Sequence, residues 1–169
     1  MWQRGCFVSL GCWFRRIVLG FLTLLLWLSC NNLAWANDYN KEILVNADFS
    51  GRDLTDSSFT KANLKNANFK GSDLRQVSFF GANLEDTNFE GANLSTATLD
   101  SARLVQANLT NAILEGAFAF GAQFDDAMIT GADFTDVDLR DAVQVSLCAV
   151  AEGTNPVTGR QTRETLNCS

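Results

Sequence analysis

The chain has 169 residues, a formal net charge of −6 and no histidine. This length predicts one domain. The surplus of acid argues against a protein that binds nucleic acid or an anionic membrane surface, because such proteins are basic. Without histidine, a serine nucleophile would lack its usual base.

The first 36 residues differ from the rest because they contain three arginines and no acidic residue. An apolar run from Ile17 to Leu28 follows the arginines, and the small-x-small sequence AWA ends at Ala36. A basic start, roughly 7–15 apolar residues and such a site are typical of a secretory signal peptide. We therefore predict a signal peptide over residues 1–36 and a mature chain over 37–169.

Three alternatives for this segment remain open. A membrane helix needs about 20 apolar residues, which is more than this run supplies, so we expect no membrane span after cleavage. A lipoprotein signal would end at Cys30, and a twin-arginine signal would use Arg15 and Arg16.

The mature chain would carry ten basic residues against 19 acidic ones, a net charge of −9.

From Phe49 onward, an apolar residue recurs every five residues and is large at every step except Ala119. The position two residues before each is most often alanine, and its exceptions are mostly Ser, Thr or Val. A helix repeats at 3.6 residues and a strand at 2, so this pattern indicates neither. One large and one small apolar side chain bury too little surface alone. Successive coils must therefore stack, as they do in a solenoid.

The identity of the central residues predicts the length of one coil. From Phe49 to Leu94 the centres alternate between phenylalanine and leucine. A three-sided coil of fifteen residues would stack Phe on Leu, whereas a four-sided coil of twenty stacks like on like. We therefore predict an all-β solenoid of about five four-sided coils over residues 47–142.

The repeat A-[D/N]-[L/F]-x-x over residues 47–142 resembles that of the pentapeptide-repeat proteins. The resemblance implies a right-handed quadrilateral β-helix. The tail also contains an N-P-x-T-G turn between two cysteines, formed by Asn155, Pro156, Thr158 and Gly159. This tail is similar to that of exported pentapeptide-repeat proteins from the cyanobacterial periplasm and the thylakoid lumen.

A solenoid needs a cap at each end. We predict an N-terminal cap over residues 37–46, in which Asp38 caps a short helix and Ile43 and Leu44 plug the first coil. A C-terminal helical cap is predicted over residues 143–169. Its first helix would end at Gly153, and its second would have Thr162 as N-cap.

Cysteine usage predicts a staple across the C-terminal cap. Cys148 and Cys168 are an even pair in a chain predicted to be exported, and disulfides form in oxidising compartments. We therefore expect a disulfide between them.

The sequence offers no set of residues suited to catalysis, so we predict that the protein is not an enzyme and binds no metal or cofactor. Calcium needs several converging oxygens; four aspartates lie close together in sequence, at 133, 136, 138 and 141, but are predicted to be surface residues. The predicted function is a non-enzymatic structural or protein-interaction module, exported to the thylakoid lumen or periplasm. The alternative is an acidic mimic of DNA that inhibits a topoisomerase-like enzyme, as some pentapeptide-repeat proteins do.

The repeat falters at Ala119, which occupies a large-residue position. We predict that its neighbours point outward and belong to an interaction surface, since exposed apolar patches mark binding sites. The alternative is that one of these rings folds over the thinned core, or that the C-terminal cap covers it. The candidate surface comprises Phe80, Ile113, Phe118, Phe120 and Met128.

Charge is unevenly distributed along the repeats. Residues 61–75 hold four basic residues and one acid, whereas residues 115–141 hold seven acids and one base. We predict that an unidentified protein partner docks through this gradient; the alternative is that the charge serves solubility alone. Nucleic acid is an unlikely partner for so acidic a chain, and the sequence does not specify an oligomeric state.

Overall fold

The computed structural model describes residues 37–169. The predicted signal peptide and its alternatives lie outside these residues. Parallel β-bridges join residues twenty apart, from Asp38 with Ser58 to Phe118 with Asp138. One residue in each five-residue unit makes a bridge, so four bridges link each coil to the next. A coil therefore has four sides and twenty residues, as the alternation of central residues predicts.

The central residues form the core. Phe69 and Phe89 stack with ring centroids 5.3 Å apart and planes within 9°. Phe69 also meets Phe79, ten residues away and on the facing wall, edge to face at 5.7 Å. Aromatic rings prefer these offset-stacked and edge-to-face geometries, so like centres stack up each wall and interlock across the axis.

The small position two residues before each centre also points inward. Most of these residues are buried alanines. At two of these positions a hydroxyl replaces the methyl group and bonds to the backbone: Ser72 Oγ donates to the carbonyl of Phe49 at 2.9 Å, and Thr87 Oγ1 to that of Leu64 at 3.0 Å. These bonds satisfy polar groups that would otherwise be costly inside the core.

The structure corrects the predicted N-terminal cap, because no helix forms over residues 37–46. Asp38 pairs with Ser58, and Tyr39 takes a central position, stacking on Phe59 at 4.7 Å. Leu44 packs against the core, but Ile43 is 81% exposed and plugs nothing. The coil therefore begins at Asp38, nine residues before the predicted start.

Two helices follow the repeats: α1 over Asp141–Cys148 and α2 over Thr162–Thr165. Helix α1 ends before Gly153, which corrects the predicted end. The N-cap of α2 is Gln161 and not Thr162; the buried hydroxyl of Thr162 has no hydrogen-bond partner among the described residues. Across residues 37–169, neither helix has the length and apolar character needed to cross a bilayer.

A disulfide joins Cys148, at the end of α1, to Cys168, just beyond α2. This is the pairing that the sequence predicts. The bond closes a loop with a sequence separation of 20 residues, and it ties the tail to the helix that follows the last coil.

Candidate interaction surface

Phe118 and Phe120 flank Ala119 on one wall of the last coil. Ala119 points into the core and is 1% exposed, whereas Phe118 is 51% and Phe120 53% exposed. Neighbouring side chains of an extended segment point to opposite faces, so an inward Ala119 places both rings outside. The backbone is fixed: Phe118 pairs with Thr98 and Asp138, and the Phe120 N–H donates to Asp100 Oδ1 at 2.9 Å.

Other residues replace the core volume that Ala119 lacks. Phe124 and Phe134 are buried, and their rings meet edge to face with centroids 6.3 Å apart. In the twenty-residue register, both occupy positions that hold leucine in every earlier coil. Because the core is filled in this way, the outward rings of Phe118 and Phe120 do not fold over it.

Phe80 lies in the same column as Phe120, two coils earlier, and is 42% exposed. Asp100 lies between them in the twenty-residue register, and Arg140 follows Phe120. The Arg140 guanidinium carbon is 4.8 Å from the centroid of the Phe120 ring, a cation–π contact. We call the set Phe80, Phe118 and Phe120 the aromatic wall.

The other two candidate residues lie elsewhere, which corrects the prediction of one surface with five members. Met128 is 53% exposed but pairs with Asn108. It stands ten residues from Phe118, on the opposite side of a twenty-residue coil. Ile113 pairs with Asn93 and Asp133 on a further wall and is only partly exposed.

Carboxylates lie in line with the aromatic wall in neighbouring coils and beyond it on the adjoining side. Asp100 and Asp138 share its columns, and Asp125 and Asp126 follow on the adjoining side. In residues 37–169, none of these four carboxylates lies within 4.0 Å of a lysine or arginine nitrogen. We call these four residues the acidic rim.

Asn155, in the N-P-x-T-G turn, fixes the tail on the last two coils. It is fully buried, and its Nδ2 donates to the backbone carbonyls of Asn111, Ala112 and Gly131 at 2.9–3.2 Å. Its Oδ1 accepts from the N–H groups of Val157 and Thr158. The Ala112 carbonyl also accepts from the Asp133 N–H at 2.9 Å, so Asn155 adds a second bond there. One side chain thus bonds three coil carbonyls and shapes the turn. The N-P-x-T-G motif predicts a turn at Asn155, but it does not indicate which backbone groups the Asn155 side chain contacts.

A second docking contact involves Asp133, which corrects its assignment as a surface residue. Its side chain is 0% exposed and lies 3.1 Å from Arg160 Nη1, which also contacts Glu115 at 2.9 Å. Burial raises the pKa of the Asp133 carboxyl. Hydrogen bonds from Thr135 and Thr158 and the charge of Arg160 lower it by more, so the net pKa lies below the ordinary value. The tail is therefore held by a charged carboxylate.

The described residues offer little to a metal. Between residues 37 and 169, no three His, Cys, Asp or Glu side chains converge as metal ligands would. Asp133, one of the four aspartates considered for calcium, is instead paired with Arg160.

Comparisons with known proteins agree with this geometry. The family models described as "Pentapeptide repeat region" and "Pentapeptide repeats (8 copies)" match residues 52–121 and 121–143. A crystal structure of a pentapeptide repeat protein from the Arabidopsis thaliana thylakoid lumen is similar at 45% identity, covering 78% of this chain and 91% of that chain, with a TM-score of 0.77. The chain therefore belongs to the pentapeptide-repeat family.

Two further proteins are similar. A pentapeptide repeat protein from Nostoc Pcc 7120 is 29% identical, with 62% of this chain and 85% of that chain covered and a TM-score of 0.53. Thylakoid lumenal 15 kDa protein 1, chloroplastic, of Arabidopsis thaliana is 60% identical over 37 residues. That match spans 22% of this chain and only 16% of the relative's length.

Proposed function

We propose that the protein is a non-enzymatic interaction module, exported to the thylakoid lumen or periplasm, that contacts a protein partner through the aromatic wall. One observation carries the proposal: Phe118 and Phe120 keep about half of their surface in water, 51% and 53%, beside a core that is already filled. Pentapeptide-repeat proteins are generally structural or interaction modules rather than enzymes. A rigid wall with outward rings suits that role.

The proposed scaffold is a right-handed quadrilateral β-helix of about five coils with a disulfide-stapled C-terminal cap. The handedness is that of solved pentapeptide-repeat proteins, to which this chain is similar. The β-bridges repeat every twenty residues over the described coils, and the Cys148–Cys168 bond closes the cap. Such a scaffold holds a surface in fixed geometry without a change of shape on binding.

Three observations support the proposed compartment. The sequence of residues 1–36 has the pattern of a signal peptide. A disulfide such as Cys148–Cys168 persists in oxidising compartments. The relatives at 45% identity over most of the chain, and at 60% over 37 residues, carry the thylakoid lumen in their names.

The alternative, an acidic mimic of DNA, needs a long run of unpaired negative charge. Here Lys65 pairs with Glu85 and Lys70 with Glu90, which interrupts such a run in the middle coils. The interaction module is therefore the function that the geometry favours.

Site-specific photocrosslinking in the native cells tests this function. A photoreactive phenylalanine at position 120 is compared with one at position 128, which is equally exposed on the opposite side of the coil. We expect a protein adduct from position 120, in the exported fraction, and none from position 128. Equal adducts from both positions, or none from position 120, would reject the aromatic wall, and an adduct with a cytoplasmic topoisomerase would establish the alternative.

A further inference from the structure

We infer that the aromatic wall and its acidic rim bind an arginine-rich, amphipathic segment of a partner protein. The inference rests on the proposed function and adds the chemistry of the partner. It begins from a combination of features: exposed aromatic rings stand next to carboxylates that have no ion-pair partner among residues 37–169. Rings alone would suit any apolar partner, but rings among carboxylates select a cation with an apolar body.

The contact between Arg140 and Phe120 shows which cation fits. The guanidinium carbon lies 4.8 Å from the ring centroid, so one ring of the wall already holds an arginine. Phe118 lies on the same wall, two residues before Phe120, and its backbone pairs with that of Asp138 in the next layer. Paired strands are usually about 4.8 Å apart. An incoming guanidinium can therefore stack on Phe118 while it pairs with the Asp138 carboxylate.

Arginine suits this position better than lysine. Its planar guanidinium stacks on an aromatic face and donates in a fork that matches a carboxylate. Apolar residues of the same segment would cover the remaining surface of Phe120 and Phe80, which are 53% and 42% exposed. Aromatic and charged contacts of this kind are frequent hot spots of protein interfaces.

The same charges exclude three other occupants. An anionic lipid surface and a nucleic acid would both place negative charge against the acidic rim. A second copy of this chain, docked through the same wall by two-fold symmetry, would bring one acidic rim against the other. Opposed like charges are costly at an interface, so a basic protein segment is the occupant that the surface favours.

Binding of labelled peptides to the full chain tests the inference. The probe is a sixteen-residue amphipathic peptide of arginine and leucine, followed by fluorescence anisotropy. Matched peptides replace every arginine by lysine, every arginine by glutamate, or every leucine by serine. We expect the arginine–leucine peptide to bind most tightly and the glutamate peptide not to bind. Because the contact includes opposite charges, affinity should fall several-fold between about 50 and 500 mM salt.

Variants of the protein locate the contact. The Phe118→Ser/Phe120→Ser double variant should bind the arginine–leucine peptide about tenfold more weakly or worse, and Asp138→Asn about threefold more weakly. Two matched controls should bind as the parent does: Met128→Ser, on the opposite side of the coil, and Asp56→Asn, an exposed acid of the first coil. Thermal unfolding of each variant checks that the fold is retained.

Several outcomes would overturn the inference. These are no binding of the arginine–leucine peptide, equal binding of the glutamate peptide, or equal losses from the aromatic and the control variants. Binding to vesicles of anionic lipid, or a dimer that the aromatic double variant abolishes, would replace the partner by a membrane or a second copy. If the arginine–leucine peptide does not bind but protein crosslinks from position 120 are still found, the proposed interaction module is retained and only the cationic partner is rejected.

Discussion

The middle coils, residues 58–97, and the last coil, residues 118–137, use the same five-residue unit but leave different outer surfaces. In the middle coils a basic layer, residues 58–77, lies under an acidic layer, residues 78–97. Their charges pair from coil to coil, with Lys65 Nζ 2.8 Å from Glu85 and Lys70 Nζ 2.9 Å from Glu90. In the last coil, Asp125 and Asp126 have no such partner within residues 37–169.

The uncharged outer positions differ in the same way. Asn88 donates to Asn68 at 3.3 Å and Asn108 to Asn88 at 3.2 Å, so an amide ladder rises through the earlier coils. The ladder stops where Met128 takes the next position, and on another wall Phe118 follows Thr98. Outer side chains that satisfy each other hold coils together. Where these ladders stop, the outer positions become available to another molecule.

The largest expected effect tests the core of the middle coils. Phe69 is fully buried between Phe49 and Phe89, so Phe69→Ala should lower the free energy of unfolding by about 3–5 kcal/mol through lost burial and a cavity. Denaturant unfolding measures this loss. A loss below about 1 kcal/mol would show that the aromatic stack does not carry the stability of these coils.

Removing the disulfide beyond the last coil should give the next largest loss of stability. Replacing both Cys148 and Cys168 by serine should lower the free energy of unfolding by about 2–4 kcal/mol, because the bond restricts the unfolded chain. Reduction of the parent protein is the matched control and should give a similar loss. Unchanged stability in both experiments would contradict a structural role for the disulfide.

Asp133→Asn tests the charged contact that holds the tail. At pH 7 we expect a loss of about 1–3 kcal/mol, because the buried carboxylate pairs with Arg160. Since the folded pKa of Asp133 is lowered, its contribution is complete above the unfolded value of about 3.9. It is lost as the pH falls through the folded pKa.

The difference between parent and Asp133→Asn should therefore shrink at about pH 3 or below, where the parent carboxyl also becomes neutral. Unfolding at neutral and acidic pH measures it. Asp126→Asn, an exposed acid of the same coil, is the control and should change stability little at either pH. A difference that grows on acidification would mean that Asp133 is not held as a charged group.

The smallest effect tests the surface charge of the middle coils. Lys70 and Glu90 are 2.9 Å apart, but their side chains are 56% and 38% exposed. Exposed pairs contribute little because water and salt screen them, so Lys70→Ala should cost less than about 1 kcal/mol. A loss of several kcal/mol in denaturant unfolding would show that coil-to-coil ion pairs stabilise the middle coils far more than exposed pairs do.

The interior was predictable from the sequence because packing constrains it twice. The five-residue spacing selects which side chains point inward, and the alternation of Phe and Leu selects twenty residues per coil. The first coil escaped prediction because Asn37 and Glu42 occupy its small positions. Both are exposed at the open end, where no preceding described coil restricts their size.

The surface was predictable only in part. The outward direction of Phe118 and Phe120 followed from Ala119, whereas the separation of Met128 from them follows from the twenty-residue register. The contacts of Asn155 link it to residues 24 to 44 positions away. No local pattern reveals such distant partners, because they depend on where the tail returns to the coil.

The central claim is that the outward rings of the last coil serve contact rather than folding. Its most direct test compares the unfolding free energy of the Phe118→Ser/Phe120→Ser double variant with that of Phe69→Ala. Both outward rings are about half exposed, whereas Phe69 is fully buried. We predict that the double variant loses less than half of what Phe69→Ala loses, since burial sets the cost of removing a ring. A loss equal to or greater than that of Phe69→Ala would show that the outward rings belong to the core and would contradict the claim.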